Sequence, residues 1–194
     1  MALERRRLAP GARRRQLIEL GLEAMAAESR EAVSLDRISE AAGISRGLLF
    51  HYFPSKREYH AAVVAAAAQR LLEATEPDPD LPLESRLHSA LDAYLTFVEA
   101  NEGLYRALVR GSAGGDPELR AIFDRTRDQL VSRAAAQLGA EASPALRLAL
   151  RGWQAFVEEV ALEWTRRREL ERGSLVELME RAFYVAVEAA TLGA

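Results

Sequence analysis

Apolar residues recur at spacings of three and four along nearly the whole chain, and no stretch alternates in the two-residue period of a half-buried strand. The pattern predicts an all-helical protein of about nine helices. A first helix runs from Gly11 to about Glu28, with Leu17, Ile18, Leu20, Leu22 and Met25 as its apolar positions. Ser34 is expected to cap a second helix, in which Leu35, Ile38 and Ala42 share a face. Gly43 ends it, because glycine enters the left-handed region without steric cost. Ile44 plugs the corner. Ser45 caps a third helix carrying Leu48, Leu49 and Tyr52, and Pro54 stops that helix by disfavouring helical geometry at Phe53. Ser55 opens a fourth, which reaches about Ala74 through the strong helix-forming run AAVVAAAAQRLL. Three prolines between Glu76 and Pro82 then break the pattern.

Helical spacing resumes at Leu83. A helix to about Ala100 places Leu87, Leu91, Tyr94, Leu95 and Val98 on one face. A short helix from Asn101 to Arg110 follows, with Leu104, Tyr105 and Leu108, and then a loop over GSAGGDP. Glu118 to Leu138 is a long helix with Leu119, Ile122, Phe123, Leu130 and Val131. Ser143 and Pro144 begin another that reaches about Arg168. Ser174 is expected to cap the last, which ends near Thr191.

The stretch Ser34 to Lys56 reads as two short helices joined by a tight turn, the layout of a helix-turn-helix whose second helix can enter a DNA major groove. The run AGISRGLLFHYFPSKREY resembles the DNA-binding domain of the TetR family of transcriptional regulators, in which a Gly-apolar-Ser turn precedes a Tyr/His/Phe cluster, a Ser-Lys pair and a further helix. The upstream apolar residues Leu17 to Met25 fit that family's first helix, so the clear resemblance covers about the first third of the chain. Two positions depart from it. Phe50 stands where the family usually has a tyrosine with a phosphate-contacting hydroxyl, and Ser39 stands where it usually has alanine. Ile38, Ala42, Gly43, Ile44, Leu49, Phe50 and Phe53 are the expected core of the motif.

The net charge of −3 over 194 residues would by itself argue against a nucleic-acid partner. Its distribution reverses that inference. Residues 1–57 hold 11 basic and 7 acidic side chains, a net of +4, while the rest of the chain is net −7. The positive charge sits where the motif is, as attraction to phosphates requires. Arg5, Arg6 and Arg7 make residues 1–10 a basic arm, read either as a DNA contact or as a solubilising tail. Arg13, Arg14 and Arg15 open the first helix against the preference of its dipole, which points to an anionic partner. An apolar fraction of 49% and a charged fraction of 28% are those of an ordinary globular chain. No apolar run is long enough to span a membrane and no signal peptide is recognisable, so a cytoplasmic protein is expected. There are no cysteines, which excludes disulfides and thiolate chemistry. His51, His60 and His88 lie at no metal-ligand spacing, and no phosphate loop or nucleophile motif is present. An enzyme is therefore not expected, and no cofactor is expected.

Residues 1–57 are thus assigned to the DNA-binding domain and residues 58–194 to a larger helical domain. Within the larger domain, Tyr94, Phe97, Trp153 and Phe156 are large rings suited to line an apolar cavity, with His88 as a polar candidate. The same rings could equally fill an ordinary core. The stripes on the last two helices include Leu146, Leu150, Val157 and Trp164 on one and Leu178, Phe183 and Val187 on the other. They bury either against a second copy or within one chain. Resemblance to the family implies the former, a homodimer joined by a four-helix bundle, and an unidentified small-molecule effector in the helical domain. It further implies a repressor on a pseudo-palindromic double-stranded operator. Arg46, Gly47 and Leu48 are then the base-reading residues, and Ser34, Ser45, His51, Tyr52, Lys56, Arg13 and Arg14 the phosphate-contacting ones. The competing readings are a constitutive DNA-binding protein without an effector and a small helical enzyme.

Overall fold

The computed structural model describes residues 9–27, 34–111, 116–138 and 143–191, and among these it contains nine helices and no strand. They are α1 (Pro10–Ala27), α2 (Leu35–Ala41), α3 (Arg46–Tyr52), α4 (Lys56–Ala74), α5 (Leu83–Ala100), α6 (Glu102–Gly111), α7 (Pro117–Gln137), α8 (Pro144–Arg167) and α9 (Arg172–Thr191). The roles expected of Arg5, Arg6 and Arg7 and of the Leu108 side chain lie outside the described residues.

The helix ends show which local signals act. The hydroxyls of Ser45, Ser55 and Ser143 accept from the backbone N–H three residues on, those of Leu48, Glu58 and Leu146. Each satisfies a donor that the first turn leaves free. Ser34 occupies the cap position of α2 but its hydroxyl makes no capping bond. Its carbonyl alone closes the turn, accepting from Ile38 N–H at 3.1 Å. Ser174 is not a cap. The first turn of α9 opens three residues earlier, where the Glu171 carbonyl accepts from Leu175 N–H. The guanidinium of Arg172 is anchored there, with Nε 2.8 Å from Asp92 and a second contact to Glu99. These tertiary ion pairs override the local serine signal. Asp116 caps α7, so that helix starts at Pro117 rather than Glu118.

Helix α4 organises the fold. It packs on α1 of the small N-terminal head and on α5, α6 and α7 of the larger body, so it belongs to both. Tyr59 and Val63 approach α1 at Gly21, where a Cβ would lie 2.5 Å from the Tyr59 hydroxyl and 2.5 Å from Val63 Cγ2. The Tyr59 hydroxyl donates to the Leu17 carbonyl at 2.7 Å. Burial holds that hydroxyl well above its ordinary pKa range, so it stays a protonated donor. Arg70 pairs with Glu19 across the same seam, and Arg57 reaches Asp116 at 3.0 Å, tying the start of α4 to the start of α7. In the body, α5 and α9 flank α8, and α8 and α9 form the most extensive helix pair. Its centre is Trp153, packed edge-on to Phe183 at 5.0 Å with its indole N–H donating to the Met179 carbonyl.

Replacing Gly21 with alanine should force Tyr59 and Val63 apart. Overpacking of this kind costs about 1–3 kcal/mol, more than the intrinsic helical gain of alanine over glycine. Urea unfolding is expected to show a lower midpoint at an unchanged slope.

Candidate nucleic-acid interface and ligand cavity

Gly43 adopts φ +63°, the left-handed conformation that turns the chain sharply between α2 and α3. Ile38, Ala42, Leu49 and Phe53 are buried beneath the turn, and Ile44 and Phe50 pack half-buried against them. Ser39 is buried as well. Its hydroxyl is absorbed by the Leu35 carbonyl at 2.8 Å, so serine fits a position that requires a small residue. Phe53 ends α3 in an extended conformation ahead of Pro54.

What this scaffold presents is the outer side of α3. Arg46, Gly47 and Leu48 are all exposed, and no atom lies near enough to Gly47 to obstruct an approaching surface. Arg46 is held in place from two sides. Its Nη1 is 3.1 Å from Asp36 Oδ1, and its guanidinium lies over the Phe50 ring at 5.6 Å. Phe50, which lacks a hydroxyl, therefore acts as a platform for the arginine. The exposed Asp36 pair is weak enough to yield to a stronger acceptor.

Around this side, His51 and Lys56 are exposed, and Ser34 and Tyr52 are half-buried. Ser45 is exposed, but its hydroxyl is engaged as the cap of α3. Arg13 and Arg14 have partners inside the chain. Arg13 donates to the Ala42 carbonyl at 3.3 Å, and Arg14 stacks on Phe53 at 4.9 Å. Both fasten α1 to the motif. Arg14 and Arg15 are the exposed members of that run, and Arg13 is half-buried.

The body contains a cavity of about 240 Å³ between α5, α7, α8 and α9, roofed by the connection that follows α4. Leu87, Leu91, Leu130, Val157, Trp153 and Phe183 supply most of its wall, and Tyr94 and Gln154 face it from the core side. Of the rings expected to line a cavity, Tyr94 and Trp153 do so. Phe97 is buried off its wall, Phe156 packs half-buried against the core, and His88 lies outside on the surface, 3.3 Å from Glu180. Helical spacing placed those three near the right helices, but the cavity occupies only one sector of each. Arg86 and Arg133 border the space. Arg86 donates to the carbonyls of Pro79 and Leu81 and to Gln137. Arg133 donates to the Leu72 carbonyl and pairs with Glu76. Both therefore lace the proline-rich connection onto α5 and α7.

The stripe expected to meet a second copy turns out to pack inward. Leu146, Leu150, Val157, Trp164 and Phe183 are buried within the single chain, in which α8 packs on α9, α7 and α5. Leu178 is exposed and Val187 half-buried. The outward faces carry a different apolar set. On α8 they are Leu148 (75% exposed), Gly152 and Ala155. On α9 they are Leu178, Val185 (64% exposed) and Ala189. The spacings of four and three, and of seven and four, put each set on one helical face. Each helix carries apolar residues on two sides, and periodicity alone favoured the denser, inner one. Among the described residues no cluster of His, Asp and Glu could hold a metal ion, and no helix is long and apolar enough to cross a membrane.

Comparison with known proteins bears on both halves of the chain. The family profile described as "Bacterial regulatory proteins, tetR family" matches residues 17–63. That described as "Tetracyclin repressor-like, C-terminal domain" matches residues 83–186. The chain is 26% identical over 117 residues to the HTH-type transcriptional activator FasR of Mycolicibacterium smegmatis, a match that covers 59% of this chain and 53% of that protein. It is 27% identical over 128 residues to the nucleoid occlusion factor SlmA of Haemophilus influenzae, covering 62% and 59%. The chain thus spans little more than half the length of these curated relatives. Among solved structures, a tetR-family transcriptional regulator from Streptomyces coelicolor superposes with a TM-score of 0.87 at 30% identity, covering 96% of this chain and 85% of that one. A TetR-like transcriptional regulator from Rhodococcus sp. RHA1 gives 0.70 at 25% identity, covering 94% and 99%.

Replacing Ser45 with alanine removes the acceptor for Leu48 N–H. The expected loss is about 1 kcal/mol, with amide exchange in α3 accelerating more than in α1. Native-state hydrogen exchange reads both.

Proposed function

The chain belongs to the TetR family of DNA-binding transcriptional regulators, and from that premise we propose that it is a homodimeric repressor that leaves a pseudo-palindromic operator when a small molecule fills the cavity of its body. The observation that carries the reading is the outer side of α3. A rigid helix, capped by Ser45, offers one long cation, one residue without a side chain and one apolar side chain in succession, on a head of net charge +4. Arg46 has the geometry to give a bidentate contact to guanine once it leaves Asp36. Gly47 lets the backbone come close to the bases, and Leu48 can meet a thymine methyl. Lys56, His51, Tyr52 and Arg15 are suited to phosphates, which fix register without reading sequence.

Two copies are needed because one short helix buries too little surface on DNA for a useful specificity ratio. The outward apolar faces of α8 and α9 support a two-fold contact, in which each copy sets the same pair of helices against its mate. The small residues Gly152, Ala155 and Ala189 favour close helix approach. Half-sites are then expected one helical turn, or a multiple of it, apart.

Coupling between cavity and operator is supported by the position of α4. Thr75, which follows its last turn, lines the cavity, and Arg133 holds the Leu72 carbonyl at the same end. The other end is fixed to the head through Tyr59 and Leu17. A ligand that displaces the C-terminal end of α4 re-aims the head, so ligand and operator disfavour one another reciprocally. The repressing sign comes from likeness to the family, and a reporter placed behind the selected operator tests it.

Selection of bound duplexes from a random pool should enrich a two-fold symmetric site. Arg46→Ala should then relax one base position per half-site and weaken binding by about 1–3 kcal/mol. Recovery of no preferred sequence by the native protein would overturn the reading. Val185→Glu places a charge at the centre of the outward face and should yield a folded monomer in sedimentation at micromolar concentration, with operator affinity reduced. A Val185→Glu protein that stayed dimeric would remove this face as the interface.

A further inference from the structure

The wall of the body cavity holds four buried residues with polar atoms, and three of them are already satisfied. Thr75 Oγ1 donates to the Leu71 carbonyl at 2.8 Å, the indole N–H of Trp153 donates to the Met179 carbonyl at 2.9 Å, and the Tyr94 hydroxyl meets that of Tyr105. The fourth is Gln154 on α8. It is 4% exposed and lines the cavity, yet its amide makes no hydrogen bond among the described residues. No buried side-chain nitrogen or oxygen among those residues is both sealed from space and without a partner, so the Gln154 amide is open to space, and Gln154 lines both this cavity and a far smaller pocket beside Arg127 and Glu158. A buried amide facing apolar walls carries an uncompensated desolvation cost unless something bonds to it. Gln154 thus has one donor group and one acceptor free on the wall of the ligand space.

The charges nearby are committed. Behind Gln154, Arg127 forms a two-point pair with Glu158, which is itself 5% exposed, and stacks on Phe123 at 4.3 Å. That pair is neutral overall. At the border of the cavity, Arg133 is paired with Glu76, and Arg86 has neutral acceptors on Nε, Nη1 and Nη2, the carbonyls of Leu81 and Pro79 and the Gln137 side chain. An anionic head beside Gln154 would have to take Arg86 from its three neutral acceptors, and without that cation its burial would be heavily penalised.

We propose that the cavity is built for an uncharged, largely apolar molecule carrying a single hydrogen-bonding group, a carboxamide, carbonyl or hydroxyl, which docks on the amide of Gln154. This rests on reading the cavity as the ligand site of a regulator and adds the chemical class of the ligand. The volume of about 240 Å³ exceeds the ~150 Å³ that accepts benzene, so the fitting size is about ten to thirteen non-hydrogen atoms. The Gln154 amide can both donate and accept, and a carboxamide matches both functions at once. The surrounding rings of Trp153, Phe183 and Tyr94 favour a flat scaffold over a flexible one.

The test uses the full chain without DNA and three probes on one scaffold: 2-naphthamide, naphthalene and 2-naphthoate, titrated by calorimetry at pH 7.5. The amide should bind about five- to tenfold more tightly than naphthalene, the increment of one neutral hydrogen bond to a buried partner, and the carboxylate most weakly. In Gln154→Leu, close in volume, the amide should lose that advantage while naphthalene keeps its affinity. Gln154→Met serves the same purpose if the leucine variant folds poorly. Ala134→Trp should fill the space and abolish binding of all three. The proposal is overturned if 2-naphthoate binds most tightly and loses its advantage in Arg86→Gln, or if the ratio of amide to naphthalene is unchanged in both Gln154 variants, or if none of the probes binds. Any of these results with operator binding intact leaves the DNA-binding reading standing. Loss of operator binding with the amide preference retained does the reverse.

Discussion

The contact on which the rest depends is the one between α1 and α4 at Gly21. Three short helices make a poor core of their own, and domains of such size are marginally stable in isolation. Here the head gains a fourth wall, because Tyr59 and Val63 close on α1 where a side chain larger than hydrogen cannot fit. The same helix that completes the head also packs on α5, α6 and α7 of the body, with Ala67, Ala68, Leu71 and Leu72 buried. Head and body thus share structural material. The boundary drawn at residue 57 from composition falls within the first turn of this shared element.

Much of the fold could be read from the chain because its signals are local. A glycine at positive φ, serine caps whose hydroxyls reach the N–H three residues on, and a proline that unseats the preceding residue each act within one turn. The failures are of one kind. Ser174 has the chemistry of a cap, but Arg172 is anchored to Asp92 and Glu99, far away in sequence, and the helix begins earlier. Gly21 gave no local sign of its role, since its requirement comes from Tyr59, thirty-eight positions on. Periodicity identified the apolar stripes of α8 and α9 but could not divide them between an inner and an outer face. A helix between two neighbours is apolar on both sides, and the larger side chains go to the tighter contact. Of the rings expected at the cavity, Tyr94 and Trp153 are on its wall and Phe97 is not, although all three are buried. Burial follows from hydrophobicity, whereas adjacency to a void depends on what the opposing helices leave unfilled.

Charge placement separates the two halves of the molecule more sharply than their folds do. In the body, arginines are tied down: Arg127 to Glu158, Arg151 to Asp124 and Asp128, Arg172 to Asp92 and Glu99. The acidic excess is thereby used to stitch helices together and leaves the body unattractive to phosphates. In the head, Arg13 donates to the Ala42 carbonyl and the exposed Arg14 stacks on Phe53, whereas Arg46 is held only by an exposed carboxylate and a ring. Such a pair is worth little in water. It orients the guanidinium outward without binding it tightly, so the cost of handing it to another acceptor is small.

The cavity and the core of the body are made of the same residue types, and polar satisfaction distinguishes them. A region that exists only to be filled would hold no unmatched amide, since leucine at position 154 would be more stable there. Gln154 sits one residue from Trp153 and one turn from Glu158, on a helix that otherwise satisfies every buried polar atom described. An amide retained under those conditions is a cost to the empty protein that a bound group can offset. The cavity reaches Thr75 at the end of α4, the same helix that closes on α1 at Gly21.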